Sequence, residues 1–476
     1  MGSRKQLDQL VDELPSNQKR LRVIRQDRIN VEDIDCYLEF GHTNYKVINL
    51  SPFGLLTQTD KQFTDAVIDA NLVVDDVELG PVKLKSARQE VDLGGHQLVA
   101  FEVIGEPVSV DRVLAIRDST GLIKDQEHYH STTKRIPDAF ARKVYEIKDW
   151  LEELQSRITE FESHKDKTDR VSYAEYENTV VQVMGDYLNR LIPDKNEELG
   201  TLIQDLNSEA IKICYEFFRA KLEKLIYQSP YASRAYYKPL GYAGDYELMN
   251  MIYRHDNGGG SLFAKCLNNY WHHEPGAQAV RNRANYVEQN IVRTFESTNI
   301  DGCPSILSVA CGPAIEWQQI ILGGRYAGRE AKVDLLDQDE GALKHAQRRL
   351  KELSVKSVNK FRFEFIHKTI KGVLATGLDQ KYDLIYSAGL FDYFSDPVAQ
   401  LAAAKLYQAL NPGGRLIIGN FNVGQPSAVV MDLALDWHLI YRTKEDLKKM
   451  YEPLGGKTVV ECEPLNVNLF CVITKQ

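Results

Sequence analysis

The chain has 476 residues, too many for one ordinary hydrophobic core, so two or three domains are expected. Apolar residues at 43% and charged residues at 26% describe a folded protein and exclude a disordered one. The formal charge of -9 argues against a nucleic-acid partner, which needs clustered Lys and Arg, and the seven cysteines have no CxxC spacing to suggest structural zinc or a disulfide framework.

The N-terminal MGSRKQLDQLVDELP lacks the apolar run of a signal peptide, and no stretch has the length of a spanning helix. A cytoplasmic location without a transmembrane segment is therefore expected. A short helix ending at Pro15 is followed by KRLRVIRQDR, with Arg20, Arg22, Arg25 and Arg28. Residues 29 to about 120 then read as β-rich, with YKVINL, LVVDDVEL, PVKLKSARQEV and HQLVAFEVI as short strands between turn residues. A small barrel or sandwich fits, and the expected front domain spans residues 1–125.

Residues 126–289 form a helical linker and cap. EIKDWLEELQSRITEFESH, YAEYENTVVQVMGDYLNRLI and EAIKICYEFFRAKLEKLIYQ have apolar residues at helical spacing. Pro239 and Gly258-Gly259-Gly260 punctuate them. Residues 290–476 alternate strand and helix, which predicts βαβ units around a mainly parallel, doubly wound α/β sheet.

The first strand of that sheet runs into SVACGPAIEW. Small residues after such a strand let the backbone approach a ligand, and the next helix points its amides there. Gly312 is the best such residue, between the small Ala310 and Ala314. The pattern is neither GxGxxG nor a P-loop, and an ordinary strand-to-helix turn is the alternative. The second strand, KVDLLDQD, ends at Asp337, whose carboxylate can accept both hydroxyls of a ribose, with Gln338 beside it; Asp339 is placed to cap the next helix. Thr369, after the third strand, offers a hydroxyl or amide to an adenine pocket. Ser387 and Ala388 end the fourth strand at the edge where reaction chemistry is expected, with Phe391 and Tyr393 as its rim.

Together these segments resemble a class I S-adenosylmethionine-dependent methyltransferase. SVACGPAIEW resembles the family's glycine-rich motif, DLLDQDEGALKHA its acidic second motif, and YDLIYSAGLFDYF with LYQALNPGGRLIIGNF its fourth and fifth strands. The resemblance implies S-adenosylmethionine as cofactor, bound by Ser308, Ala310, Gly312, Asp337, Gln338, Thr369, Ser387, Ala388 and Asp245. The first motif departs from the family: Ser308 stands where an acidic residue is usual, and Ala310 where the first glycine is.

The tyrosine-rich YASRAYYKPLGYAGDYELMNMIYRH suits a loop that closes a pocket, with Tyr242 and Tyr246 as walls and Asp245 either in the site or capping a helix. With DLALDWHLIYRTKEDL, it resembles enzymes that make the extracellular factor 3-hydroxypalmitic acid methyl ester. That implies a small or lipid-like acid as acceptor, methylated on its carboxylate. Arg442 is a candidate holder of that carboxylate, although Thr443 with Asp446 also reads as the start of a capped helix; His438 is a candidate base for a hydroxyl acceptor. His272-His273-Glu274 has no metal-ligand spacing, so no metal is expected.

In the front domain, Asn49, Ser51 and Gly54 match the [DN]xSxxG turn of PilZ domains, which bind cyclic di-GMP. The arginines do not match RxxxR. The resemblance implies a nucleotide site of Arg20, Arg22, Arg25, Asn49, Ser51 and Gly54, or a domain kept as a protein-contact module, with a signalling role. Two further readings stand beside the small-molecule enzyme: a degenerate fold acting as a scaffold, and a protein methyltransferase.

Overall fold

The computed structural model describes residues 29–31, 34–41, 43–59, 63, 66–91, 96–133, 135–297, 302–324, 326, 328–355 and 360–476. The chain divides into two compact units, Met1–Lys134 and Arg135–Gln476, so the expected second and third regions share one unit.

The front unit is an antiparallel barrel. Its strands are β1 (Ile29–Asn30), β2 (Cys36–Phe40), β3 (Thr43–Ser51), β4 (Gly54–Gln58), β5 (Val67–Val74), β6 (Val77–Val91) and β7 (Gln97–Ile104). The sheet closes because β3 pairs with both β2 and β4, while β1 lies against β3. Alternation buries Tyr45 and Val47 on β3, and a register shift between Val47 and Asn49 then turns Leu50 inward. Asp75 and Asp76 make the β5–β6 turn at φ 45° and 63°, a left-handed pair suited to tight hairpins. The β-rich stretch ends at Ile104, earlier than the sequence suggested, because helix α1 (Val110–Thr133) follows. Its apolar stripe is thin, with Val110, Val113 and Ile116 packing on the barrel core, so its periodicity is weak in the sequence.

The second unit begins with helices α2 (Asp138–Ser163), α3 (Arg170–Ile203), α4 (Ser208–Ile226), α5 (Pro230–Tyr237), α6 (Tyr246–Arg254), α7 (Leu262–His273) and α8 (Pro275–Glu296). Asp169, Asn207, Ser229 and Ser261 cap four of them through side-chain oxygens, which explains where these helices start. Phe140, Leu151, Phe218, Leu222 and Trp271 form their common core, joined by Val430, Met431 and Leu433 from the α/β part.

The α/β part continues with β8 (Ser305–Val309), α9 (Ile315–Gly323), β9 (Glu330–Asp337), α10 (Glu340–Ser354), β10 (Lys360–His367), α11 (Ile370–Thr376), β11 (Tyr382–Ser387), α12 (Asp396–Gln408), β12 (Leu410–Phe421), α13 (Ala428–Leu435), α14 (Lys444–Tyr451), β13 (Lys457–Cys462) and β14 (Asn468–Thr474). The spatial order is β10-β9-β8-β11-β12-β14-β13, with β14 antiparallel to both neighbours and the other pairs parallel. Both faces are covered. Leu307, Val309 and Ile385 join one core, and Ile306, Leu384 and Tyr386 the other, so the strands are apolar without interruption. The chain order reverses between β8 and β11, and ligands of such sheets bind at that point, outside the carboxyl ends of the strands.

Candidate active site

A cavity of about 600 Å³ opens at that switch point, within the roughly 300–1,000 Å³ usual for ligand pockets. Its floor is the turn after β8. Ala310, Gly312 and Ala314 take φ values of 56°, 52° and 51°. Alanine adopts this left-handed conformation at a cost of roughly 1–2 kcal/mol, so the turn keeps a glycine-like path where Ala310 replaces the usual glycine. A side chain added at Gly312 would meet nothing within 4 Å, which leaves open space above the floor.

Asp337 holds the turn. Its Oδ2 accepts from the Gly312 amide at 2.8 Å, and its Oδ1 accepts from the Asp339 amide at 2.9 Å. Burial pushes its carboxyl upward in pKa, against those amides. Asp339 caps α10 through the Gly341 amide at 2.7 Å and also accepts from the Tyr242 hydroxyl at 2.7 Å. That last bond ties the loop between α5 and α6 to the end of β9. The loop is further held by Lys238 Nζ on Asp436 Oδ2 (3.0 Å) and by the Tyr393 hydroxyl on the Ala243 carbonyl (3.3 Å). Gly244 sits at φ 68° with no room for a side chain: a Cβ there would lie 2.8 Å from Trp437.

Of the residues expected from sequence, Tyr242, Tyr246, Ser308, Ala310, Gly312, Asp337, Gln338, Ala388 and His438 line this one cavity. Four do not. Asp245 is buried, caps α6 through the Leu248 amide (2.8 Å) and pairs with Arg234 (2.8 Å), while its Oδ2 has no partner. Thr369 caps α11 through the Gly372 amide, and its neighbours Lys368 and Ile370 face the cavity instead. Ser387 ends β11 with a buried, unpartnered Oγ. Arg442 is corrected to an internal brace. It is 2% exposed, pairs with Asp396 at 2.8 Å, and donates to the Phe391 and Phe394 carbonyls and to Asn420 Oδ1. The capping box of Thr443 with Asp446 starts α14, as the simpler reading of that segment had it.

His438 lies between Asp432 (2.8 Å) and Asp436 (3.1 Å), and the hydrogen bond with Asp432 leads in raising its pKa. The sequence reading missed Lys238, Arg283, Glu316, Tyr386 and Gly389, which also line the cavity. Glu316 is buried and accepts from the Tyr386 hydroxyl at 2.5 Å; that hydroxyl in turn accepts from Trp317 Nε1 at 3.0 Å. Burial raises the Glu316 pKa. In sequence, Glu316 looks like an acidic residue complementing a helix N-terminus, and Arg283 like one more charge on a helix surface.

On the front unit, Asn49, Ser51 and Gly54 share the β3–β4 hairpin. Ser51 Oγ donates to the Gly54 carbonyl at 3.3 Å, and Phe53 at the tip is exposed. Arg20, Arg22 and Arg25 lie outside the described residues. Among the described residues no group of His, Cys, Asp and Glu is placed to hold a metal, and no helix is long and apolar enough to cross a membrane. His272 is buried edge-on to Tyr231 with both ring nitrogens unpartnered.

Residues 306–414 match the family model of a methyltransferase domain. No curated protein matches the chain significantly. Similar solved structures include a possible exported protein from Bordetella parapertussis, at 18% identity and TM-score 0.40 over 48% of this chain and 79% of the other. Magnesium protoporphyrin IX methyltransferase from Synechocystis PCC 6803 with bound S-adenosylhomocysteine is 14% identical, at TM-score 0.34 over 43% and 88%. The N-methyltransferase NodS from Bradyrhizobium japonicum WM9 is 13% identical, at TM-score 0.29 over 43% and 89%. The family match covers residues 306–414 of the α/β part as a methyltransferase domain, and the sheet order there is that of a doubly wound fold.

Proposed function

We propose that the protein methylates the carboxylate of a small organic or lipid-like acid, such as a 3-hydroxy fatty acid. The observation that supports this most is Lys238 at the edge of a cavity with an apolar wall; its ammonium is shared with Asp436. A carboxylate acceptor needs no general base, and both ring nitrogens of His438 are already taken by Asp432 and Asp436. Leu390, Phe394 and Ile370 supply apolar wall for a chain attached to that carboxylate.

The residues present fit the cofactor. Asp337 lines the cavity at the end of β9, the floor at Gly312 is open, and the buried Arg283 Nε lacks a protein partner. S-adenosylmethionine, when bound, supplies a methyl group already activated on a sulfonium. The chain then has to orient the acceptor and exclude water. The Tyr242–Asp339 and Tyr393–Ala243 bonds hold the covering loop in place for the second task. For the front barrel we propose a PilZ-like module that binds cyclic di-GMP; the hairpin carrying Asn49, Ser51 and Gly54 supports it.

Incubation of the protein with labelled S-adenosylmethionine and a panel of 3-hydroxy acids, fatty acids and small polar acceptors, with and without cyclic di-GMP, tests both readings. Label released by mild alkali is expected, as for an ester. Base-stable label would move the acceptor to nitrogen, carbon or an ether oxygen. Binding of the cofactor without transfer to any acceptor would favour the scaffold reading, and a rate indifferent to cyclic di-GMP would remove the proposed control.

A further inference from the structure

We propose that Arg283 and Glu316 clamp the amino-acid end of S-adenosylmethionine, Arg283 taking its carboxylate and Glu316 its ammonium group. The inference rests on the cofactor reading above and assigns two residues to which the sequence reading gave no role.

Arg283 projects from α8 onto the end of β11. A Cβ added at Gly389 would lie 2.8 Å from its Nη1 and 3.0 Å from its Nη2, so the absence of a side chain at Gly389 makes the seat for the guanidinium. There it donates to the Met249 sulfur at 3.3 Å, a weak acceptor, and bonds the Tyr253 hydroxyl, while its buried Nε has no partner. It forms no ion pair among the described residues. Glu316 and Asp392 feel its charge only from further off, and its planar fork matches a carboxylate with two parallel hydrogen bonds.

Glu316 carries the opposite charge into the same cavity from the first turn of α9. It is 7% exposed, with the Tyr386 hydroxyl on one oxygen and the Tyr386–Trp317 bond fixing that hydroxyl. The Arg283 charge reaches it, but the two side chains do not close into an ion pair. A cation and an anion held apart on one wall complement a zwitterion, and the α-amino acid end of this cofactor is one. Glu316 also answers the departure in the first motif. Ser308 cannot offer a carboxylate to the ammonium group, and Glu316, on the helix that the motif starts, can. Asp337, on the other side of the floor, remains for the ribose.

Calorimetry on the full chain, comparing S-adenosylhomocysteine with 5′-methylthioadenosine, separates the amino-acid end from the nucleoside. Arg283→Ala and Glu316→Gln should each weaken S-adenosylhomocysteine roughly 10- to 100-fold, the loss expected for a hydrogen bond to a charged group. Both should leave methylthioadenosine within about twofold. Arg283→Lys, which keeps the charge, should recover part of the loss and controls for folding alongside a thermal melt. Equal losses for both ligands, or unchanged S-adenosylhomocysteine affinity with only a raised acceptor KM, would overturn the clamp. A wild-type chain that binds neither ligand would instead overturn the cofactor reading itself.

Discussion

Asp337 and Arg442 show how one kind of residue signal leads to two outcomes. The place of Asp337 at the end of β9 was legible because it is local: the last residue of a strand meets the turn after the neighbouring strand, and both amides it accepts from lie at that edge. Replacing it removes the acceptor for two backbone donors, each worth about 1–3 kcal/mol when left buried and unsatisfied. Asp337→Ala is therefore expected to lower stability by that order and to weaken S-adenosylmethionine binding at least tenfold in calorimetry; unchanged affinity would remove the ribose assignment. Arg442 is a different case. An arginine near a substrate motif reads as an anion holder, but four protein acceptors consume its donors. Arg442→Ala should cost about 3–5 kcal/mol in urea unfolding, because Asp396 and buried carbonyls lose their partner. Cofactor affinity of the folded fraction should stay near wild type, and a selective loss of acceptor binding would restore the anion-holding role.

At the scale of elements, α7 carries the clearest pH dependence. Burial pushes the His272 imidazole down to about 3, the first of the causes that lower it, with the charges of His255, Arg281 and His273 acting the same way. The folded state therefore stays unprotonated while the unfolded chain takes up a proton below about 6.5. Unfolding free energy should fall as pH drops through 6.5, by about 1.4 kcal/mol at pH 5.5 from this group. Denaturant titrations at pH 7.5 and 5.5 should show a smaller fall in His272→Asn than in wild type, and parallel falls would rule the group out. The same helix shows the limit of reading elements from sequence. His272-His273-Glu274 invites a metal reading, but in three dimensions the first ring is sealed beside Tyr231, His273 bonds its own helix through the Asn269 carbonyl, and Glu274 accepts from Ser427. Helix α1 was missed for the converse reason: a helix with three apolar contacts on a barrel leaves little periodicity to detect.

For the whole molecule, the division at Lys134 sets what can be separated. Helices α2 to α8 share a core with α13, so cap and catalytic sheet belong to one cooperative unit. A fragment of residues 135–476 should unfold in a single transition and bind S-adenosylmethionine within about threefold of the full chain, since the cavity proposed to hold it lies in that unit. A fragment starting at residue 290 should not fold, because it strips Val430, Met431 and Leu433 of their partners. A stable, cofactor-binding 290–476 fragment would contradict this.

The sequence alone determined the alternating sheet, the turn at Ala310–Ala314 and the acidic end of β9, because strand period, small turn residues and a strand-end carboxylate act over a few neighbouring residues. Tertiary structure decided which distant side chains share the cavity. Arg283 comes from the helix before the sheet, Lys238 from the cap and Glu316 from the helix after the first turn. Their meeting depends on the packing of α8 on β11 and on the missing side chain of Gly389, and neither leaves a local pattern. Packing against residues 391–396 and the end of β12 turned Arg442 inward, since a buried guanidinium goes where carbonyls and a carboxylate can satisfy it.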